Sequence, residues 1–435
     1  MSGATVRRAA ADLLVLTLEK RRTLDEALTL SDPFNTLEGA DRGFARAIAS
    51  AALRELGRID LALEPLLTRP IEAVSPAVRA LLRVGAVQLW RLGTPEHAAV
   101  SETVESAKDW PEARSGGKFL NAVLRRAARE PADLDALPAT AIWPDWLQAA
   151  MEESLGPERA ERAARAQLRE PALDLTAKSD PAAVARLTGG TVTASGSVRL
   201  GTGTVEALPG YDTGDWWVQD EAAALPVKVL LAGAEGQFKS TQSTPEVTLR
   251  ALDLCAAPGG KTLQLAAAGL AVTALDRSKP RLKRLEENLA RTGLSAEIIA
   301  DDAETWRPAE PADLVLLDAP CSALGTLRRH PEGAWTKRET DVARFPDVQY
   351  RLLKAAHGMV RPGGMLVYCV CTPLRSESAD VVNRVIADGL YRRVPVTAAE
   401  TPGFNHSLTA EGDLVTVPED GAEHDVFFIS RLTPM

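Results

Sequence analysis

Three short stretches carry residue types that can do chemistry. The first, Leu252-Asp253-Leu254-Cys255-Ala256-Ala257-Pro258-Gly259-Gly260-Lys261-Thr262, reads as a buried strand, a turn of small residues and the start of a helix. Glycines at 259 and 260 let the backbone approach a ligand closely, and a helix N-terminus offers free N–H groups and partial positive charge. Asp276 follows Asp253 by 23 positions, at the end of the next strand-like segment. An acid near that offset accepts hydrogen bonds from ribose hydroxyls, so this half points to an adenosine-bearing ligand. A phosphate-binding G-x-x-x-x-G-K-[ST] loop is a poorer match, because Cys255 occupies its leading glycine position. A G-x-G-x-x-G fingerprint is absent.

The second stretch is Leu317-Asp318-Ala319-Pro320-Cys321-Ser322, and the third is Tyr368-Cys369-Val370-Cys371-Thr372. Both end a strand-like run, so both face the crevice at the carboxyl edge of a sheet. Cys369 and Cys371 share a face because strand side chains alternate, and Cys371 lies nearer the strand end. Two thiols at the ends of two strands, beside an adenosine site, suggest nucleophilic catalysis. A lone cysteine is more often a small buried hydrophobe, the reading that suits Cys369 and in part Cys255.

The elements around these stretches fall into three parts. Residues 1–130 show helical spacing at 5–20, 44–56, 76–92, 95–110 and 117–129, with no strand alternation, and imply a helical bundle. Residues 131–144 read as a linker and 146–167 as one further helix. Strand-like pieces at 173–176, 191–193 and 197–200 suggest a small α+β module, and 233–244 reads as an exposed polar loop. From 247 onward strands (247–254, 271–275, 298–299, 313–317, 365–370, 426–432) alternate with helices (261–268, 280–292, 348–360, 377–387). That rhythm implies a mostly parallel, doubly wound sheet.

The 435 residues, 45% hydrophobic and 25% charged, suffice for two or three domains with real cores. The longest apolar run, 265–275, is too short to span a membrane, and the basic start at Arg7-Arg8 is broken by Asp12 rather than continuing as a signal peptide. Four cysteines without a C-x-x-C pair imply neither a disulfide framework nor a zinc site. A reduced cytoplasmic protein, a monomer without metal or membrane association, is expected. The net charge of −9 argues mildly against a uniformly nucleic-acid-binding surface. Residues 1–130, however, hold 19 Lys+Arg against 17 Asp+Glu, which leaves room for a local basic face.

The stretches at 253–262, 317–332 and 368–372 together resemble the RsmB/Nop/Sun family of S-adenosylmethionine-dependent RNA cytosine-C5 methyltransferases. Residues 208–223 look like that family's approach to its core, and the helices, best at Lys118–Arg125, resemble the NusB-like RNA-binding fold. The resemblance implies a NusB-like all-α bundle (1–132), a small α+β module (140–218) and a Rossmann-like class I methyltransferase domain (219–435). It implies RNA as partner, 16S rRNA or a small-subunit assembly intermediate. The methyl donor would be held by Cys255, Ala256, Ala257, Pro258, Gly259, Gly260 and Lys261. Asp276 would serve the ribose, Asp302 (or its neighbour Asp301) the adenine side, and Asp318 the reacting end. Cys371 matches the family's nucleophile and Cys321 the residue that releases product, although Val370 stands where the family usually has Thr. A thiolate adding to C6 of a flipped cytosine would make C5 nucleophilic. Arg328 and Arg329 would meet phosphates beside the base, and Lys118 and Arg125 would offer a second RNA contact.

Three other readings compete. A DNA cytosine-C5 methyltransferase would use Cys321 as nucleophile. A non-catalytic RNA-binding assembly factor would keep the fold without donor binding. A P-loop NTPase fits least.

Overall fold

The computed structural model describes residues 2–201, 203–238, 248–419 and 422–435. The chain separates into two compact units, residues 1–170 with 327–339, and 171–326 with 340–435. No helix among the described residues is long and apolar enough to cross a membrane.

The first unit is helical. Its central helix, Pro76–Trp90, is buried on nearly every side, as an all-round apolar pattern requires. Helices Gly3–Leu18, Gly39–Arg54, Glu96–Ser106 and Gly117–Arg129 pack around it. Close approach is built into Gly85, where a Cβ would come within 2.5 Å of Leu124 Cδ2. The buried Arg83 is matched by a two-pronged hydrogen bond to Asp60, at 2.9 and 2.7 Å.

Two readings change here. The stretch 131–144 is no free linker: it forms turns at Leu134–Ala136 and Ala139–Ile142, and Leu134, Ile142 and Trp143 are buried. The expected helix over 146–167 is two helices, Asp145–Leu155 and Pro157–Gln167, split at Gly156, whose φ of +78° and following proline end the first.

The second unit begins with a four-stranded antiparallel sheet ordered β2-β3-β1-β4. Its strands are β1 (Leu173–Ala177), β2 (Thr191–Val192), β3 (Val198–Leu200) and β4 (Trp216–Val218). Asp174, fully buried in β1, takes a two-pronged bond from Arg199 and the backbone N–H of Glu221. This network fixes the small sheet to the start of helix Glu221–Phe238. The expected loop over 233–244 is helical through Phe238; its remainder, from 239, lies outside the described residues.

The main sheet holds β5 (Arg250–Leu254), β6 (Ala271–Leu275), β7 (Glu297–Ile299), β8 (Ala312–Asp318), β9 (Val360–Val370), β10 (Tyr391–Arg393), β11 (Leu414–Val415) and β12 (Phe428–Pro434). Its order is β10-β12-β9-β8-β5-β6-β7, with β11 on β12. The run from β9 to β7 is parallel; β10, β11 and β12 pair antiparallel. It is a Rossmann-like sheet whose strand order reverses between β5 and β8, where such sheets bind ligands.

Candidate active site

The ligand loop begins as β5 ends. Cys255 has φ +65° and Gly259 φ +109°, left-handed values that turn the chain sharply into helix Gly260–Ala267. That helix starts with no side-chain cap, so its first N–H groups face outward as a cradle. Asp276, at the end of β6, braces the loop: one carboxylate oxygen accepts from Ala257 N–H (3.1 Å) and the other from Ser278 N–H (2.8 Å). Beneath lies Asp253, wholly buried, accepting the Thr262 hydroxyl at 2.6 Å. Burial pushes its carboxyl up to about 7, against the pull of that hydrogen bond.

Lys261 reaches across to Asp318, Nζ to Oδ2 at 2.7 Å, and stands 5.3 Å from the centre of the Phe427 ring. Burial opposes its charge, but Asp318 and the neighbouring Cys369 and Asp253 more than offset this and keep it protonated. The β8–β9 register sets Asp318 opposite Cys369, whose Sγ lies 3.5 Å from Asp318 Oδ1. Cys321 and Cys371, fifty positions apart in sequence, meet with their sulfurs 3.4 Å apart. The hydrogen bond with Cys371, then burial, hold the Cys321 thiol well above the usual range. Burial does the same for Cys369 and Cys255.

A pocket of about 350 Å³ opens here, lined by Ala256–Lys261 and Asp318, with Tyr211, Trp217, Gln219, Asp220, Asn288 and Arg291 completing its wall. The small sheet's role follows: β4 leads directly into Gln219 and Asp220. Asp276 and Asp302 stand outside this pocket. Asp276 is buried among backbone amides, while Asp302 is exposed after β7, its Oδ1 accepting Glu304 N–H and that of Asp301 accepting Asp302 N–H. The residues fit S-adenosylmethionine in one respect that sequence alone does not show. The loop is too crowded beneath for a side chain at Gly259, where a Cβ would sit 2.2 Å from Leu285 Cδ1, yet it is open above its uncapped helix end.

The expected RNA contacts divide. Lys118, Arg125 and Arg129 are exposed at helical spacing on Gly117–Arg129. Arg329 is half-buried. Arg328 is 2% exposed and belongs to the first unit, where its carbonyl is held by Arg54 at 2.8 Å. A side chain so enclosed cannot meet phosphate without unfolding its surroundings, so that expectation is corrected. The residues that sequence reading missed are the buried Glu377, Gln349 and Thr372, which bind one another behind the two cysteines. An acid only six positions after Cys371 was the one available signal.

The description "16S rRNA methyltransferase RsmB/F" matches residues 242–433, and the NusB family matches 4–129. The ribosomal RNA small subunit methyltransferase B of Pseudomonas putida is 37% identical, covering 98% of both chains; that of Xylella fastidiosa (strain Temecula1) is 35% identical, covering 99% of this chain and 98% of its own. Among solved structures, PH0851 superposes over 100% of this chain and 99% of its own with TM-score 0.73 at 22% identity. NSun6 from Pyrococcus horikoshii covers 67% of this chain and 98% of its own, with TM-score 0.52 at 20% identity. These last two speak for the fold alone. On the full-length likeness to its relatives, the chain belongs to the RsmB/F family of 16S rRNA methyltransferases, with a NusB-family domain ahead of its catalytic fold.

Proposed function

We propose that this protein methylates C5 of one cytosine in small-subunit ribosomal RNA through a covalent bond between Cys371 and C6. The observation that carries the reading is the 3.4 Å approach of Cys321 and Cys371 beside the Lys261–Asp318 pair. S-adenosylmethionine, when bound, supplies an electrophilic methyl group. The residues assigned to hold it are Cys255–Lys261, with Asp276 bracing the loop and Asp302 toward the adenine side.

Cytosine C5 is a weak nucleophile. Attack of the Cys371 thiolate on C6 moves the C5–C6 electron pair to C5, which then takes the methyl group. Asp318, hydrogen-bonded to the Lys261 ammonium, is the proton-sharing group assigned to N3, where it eases the addition. The C5 hydrogen next leaves as a proton to water, the C6–S bond breaks and the double bond returns. Cys321, kept as a thiol, gives the departing Cys371 sulfur a hydrogen-bond donor. The base enters single-stranded or flipped. The exposed face of Lys118, Arg125 and Arg129 is offered to the RNA backbone, and Arg329 to phosphate nearer the base.

The test uses tritiated methyl donor, unmodified 16S rRNA and denaturing gels. Cys371→Ala should transfer nothing, and Cys321→Ala should accumulate a protein–RNA adduct. An adduct that instead requires Cys321 would reverse the two roles and favour the DNA-type mechanism.

A further inference from the structure

Behind the two thiols lies a fully buried carboxylate with no part in the chemistry above. Glu377 Oε2 accepts the backbone N–H of Ser322 at 2.8 Å and the Gln349 side-chain amide at 3.2 Å. The same Gln349 amide donates to the Pro320 carbonyl at 3.0 Å. Glu377 Oε1 meets the Thr372 hydroxyl at 3.5 Å, and the Ser322 hydroxyl donates to Thr372 Oγ1 at 3.1 Å. The Tyr368 hydroxyl closes the group on the Glu377 carbonyl at 2.6 Å. One carboxylate thus joins the residue after Cys321 to the residue after Cys371, and Gln349 fixes the residue before Cys321.

We infer that Glu377 is a positioning residue that sets the spacing of Cys321 and Cys371, and with it the step in which Cys371 leaves the methylated base. The two loops come from different strands and meet directly at the thiol contact, at the Ser322–Thr372 hydroxyl bond and where Gly325 N–H donates to the Cys371 carbonyl at 2.9 Å; Glu377 is the buried charged group that bonds to both loops at once. A buried carboxylate is costly unless well bonded, and this one meets donors from both loops and from helix Phe345–His357. Its charge also faces Cys321 and adds to the forces that keep that sulfur a thiol.

The inference rests on the two-thiol reading, and its test separates the two. In Glu377→Ala, kcat should fall about 10- to 100-fold, the penalty of a misplacement near 1 Å, while KM for RNA and donor affinity stay near wild type. Glu377→Gln should recover most of that loss, because its amide oxygen can take the Ser322 N–H while its NH2 faces the Thr372 oxygen. An independent ruler is the rate at which diamide, a two-electron thiol oxidant, joins Cys321 to Cys371, read by peptide mass. That rate should fall in Glu377→Ala and return in Glu377→Gln. If Glu377→Ala does not fold, Thr372→Val, which removes the hydroxyl shared by both loops, should show the same pattern at smaller size.

Folded variants with wild-type kcat and wild-type cross-linking overturn the role of Glu377. An absence of adduct in Cys321→Ala overturns the two-thiol reading, and the cross-linking rate still reports on Glu377.

Discussion

Replacing Gly259 by alanine adds one methyl group at a tightly constrained point of the proposed donor loop. The residue has φ +109°, a region that a Cβ disfavours by about 1–2 kcal/mol. The new Cβ would also lie 2.2 Å from Leu285 Cδ1, 3.3 Å from its Cγ and 3.4 Å from its Cβ. Leu285 cannot swing clear cheaply, because it is fully buried among Trp217, Ala257, Leu263 and Leu282. Overpacking a filled core costs about 1–3 kcal/mol. The combined strain is about 2–5 kcal/mol, and the loop can shed it only by moving away from the position that cradles the ligand.

Each kcal/mol lowers the melting temperature of a unit this size by about 2–4 °C, and each 1.4 kcal/mol taken up by loop displacement weakens donor binding about tenfold. The expected result is a clear drop in melting temperature together with an affinity loss of about tenfold or more by calorimetry. Gly259→Asp should be weaker still, since it drives a charged carboxylate against the buried Leu285. Combining Gly259→Ala with Leu285→Ala should show a favourable coupling, because the shortened side chain vacates the colliding position. A Gly259→Ala protein that melts and binds donor like wild type would refute both the strain argument and the location of the site.

Asp253 supplies a pH test. Its folded carboxyl holds a proton up to about 7, while the unfolded chain releases it near 3.8. Stability from this group is therefore greatest at low pH and falls as pH rises between those values, by up to about 1.4 kcal/mol per unit. Asp253→Asn should remove that slope, so its stability relative to wild type should grow from about pH 4 to 7; parallel curves in chemical denaturation would contradict the buried, proton-holding state. In the first unit, Arg54 Nη1 lies against the carbonyls of Gln167 (2.6 Å), Arg169 (3.1 Å) and Arg328 (2.8 Å). Arg54→Ala leaves these without their charged donor and should cost about 2–4 kcal/mol, seen as a lower first melting transition; an unchanged transition would show that water replaces the guanidinium without loss.

What the sequence made legible follows one rule, that local pattern reports local geometry. The Cys255–Lys261 turn was readable because small residues between a strand and a helix serve few other purposes. Cys321 and Cys371 were readable because strand alternation and strand ends are properties of a few consecutive residues. Arg328 was misread for the converse reason. An Arg-Arg-His run looks like a solvated turn, and only the tertiary structure reveals that Glu332 and Arg328 are enclosed and that Trp335 Nε1 bonds Ile142 O at 3.1 Å. Glu377 escaped because a glutamate just ahead of a helix is ordinarily exposed, and its burial depends on donors from positions 322, 349 and 372. The helix through Phe238 was hidden by Gly233 and Gly236, which weaken the helical pattern without preventing a packed helix.

The strand order brings the loops of the proposed site together. Read across the sheet, β9 runs into Cys371, β8 ends at Asp318 before the Cys321 turn, β5 runs into the Cys255–Lys261 loop and β6 into Asp276. Neighbouring strands lie about 4.8 Å apart, so Cys371, Asp318 and the Cys255–Lys261 loop, the groups proposed as nucleophile, acid and donor cradle, fall within about 10 Å along one edge. A cytosine lying across that edge with C6 toward Cys371 has its other atoms directed over β8 and toward β5, the side from which a methyl group must arrive. The parallel register makes this alignment rigid, because Asp253, Leu316 and Val367 are locked side by side within the sheet. The reversal of strand order between β5 and β8 therefore does more than open a crevice: it sets the lateral sequence of thiol, acid and methyl donor that the proposed reaction requires.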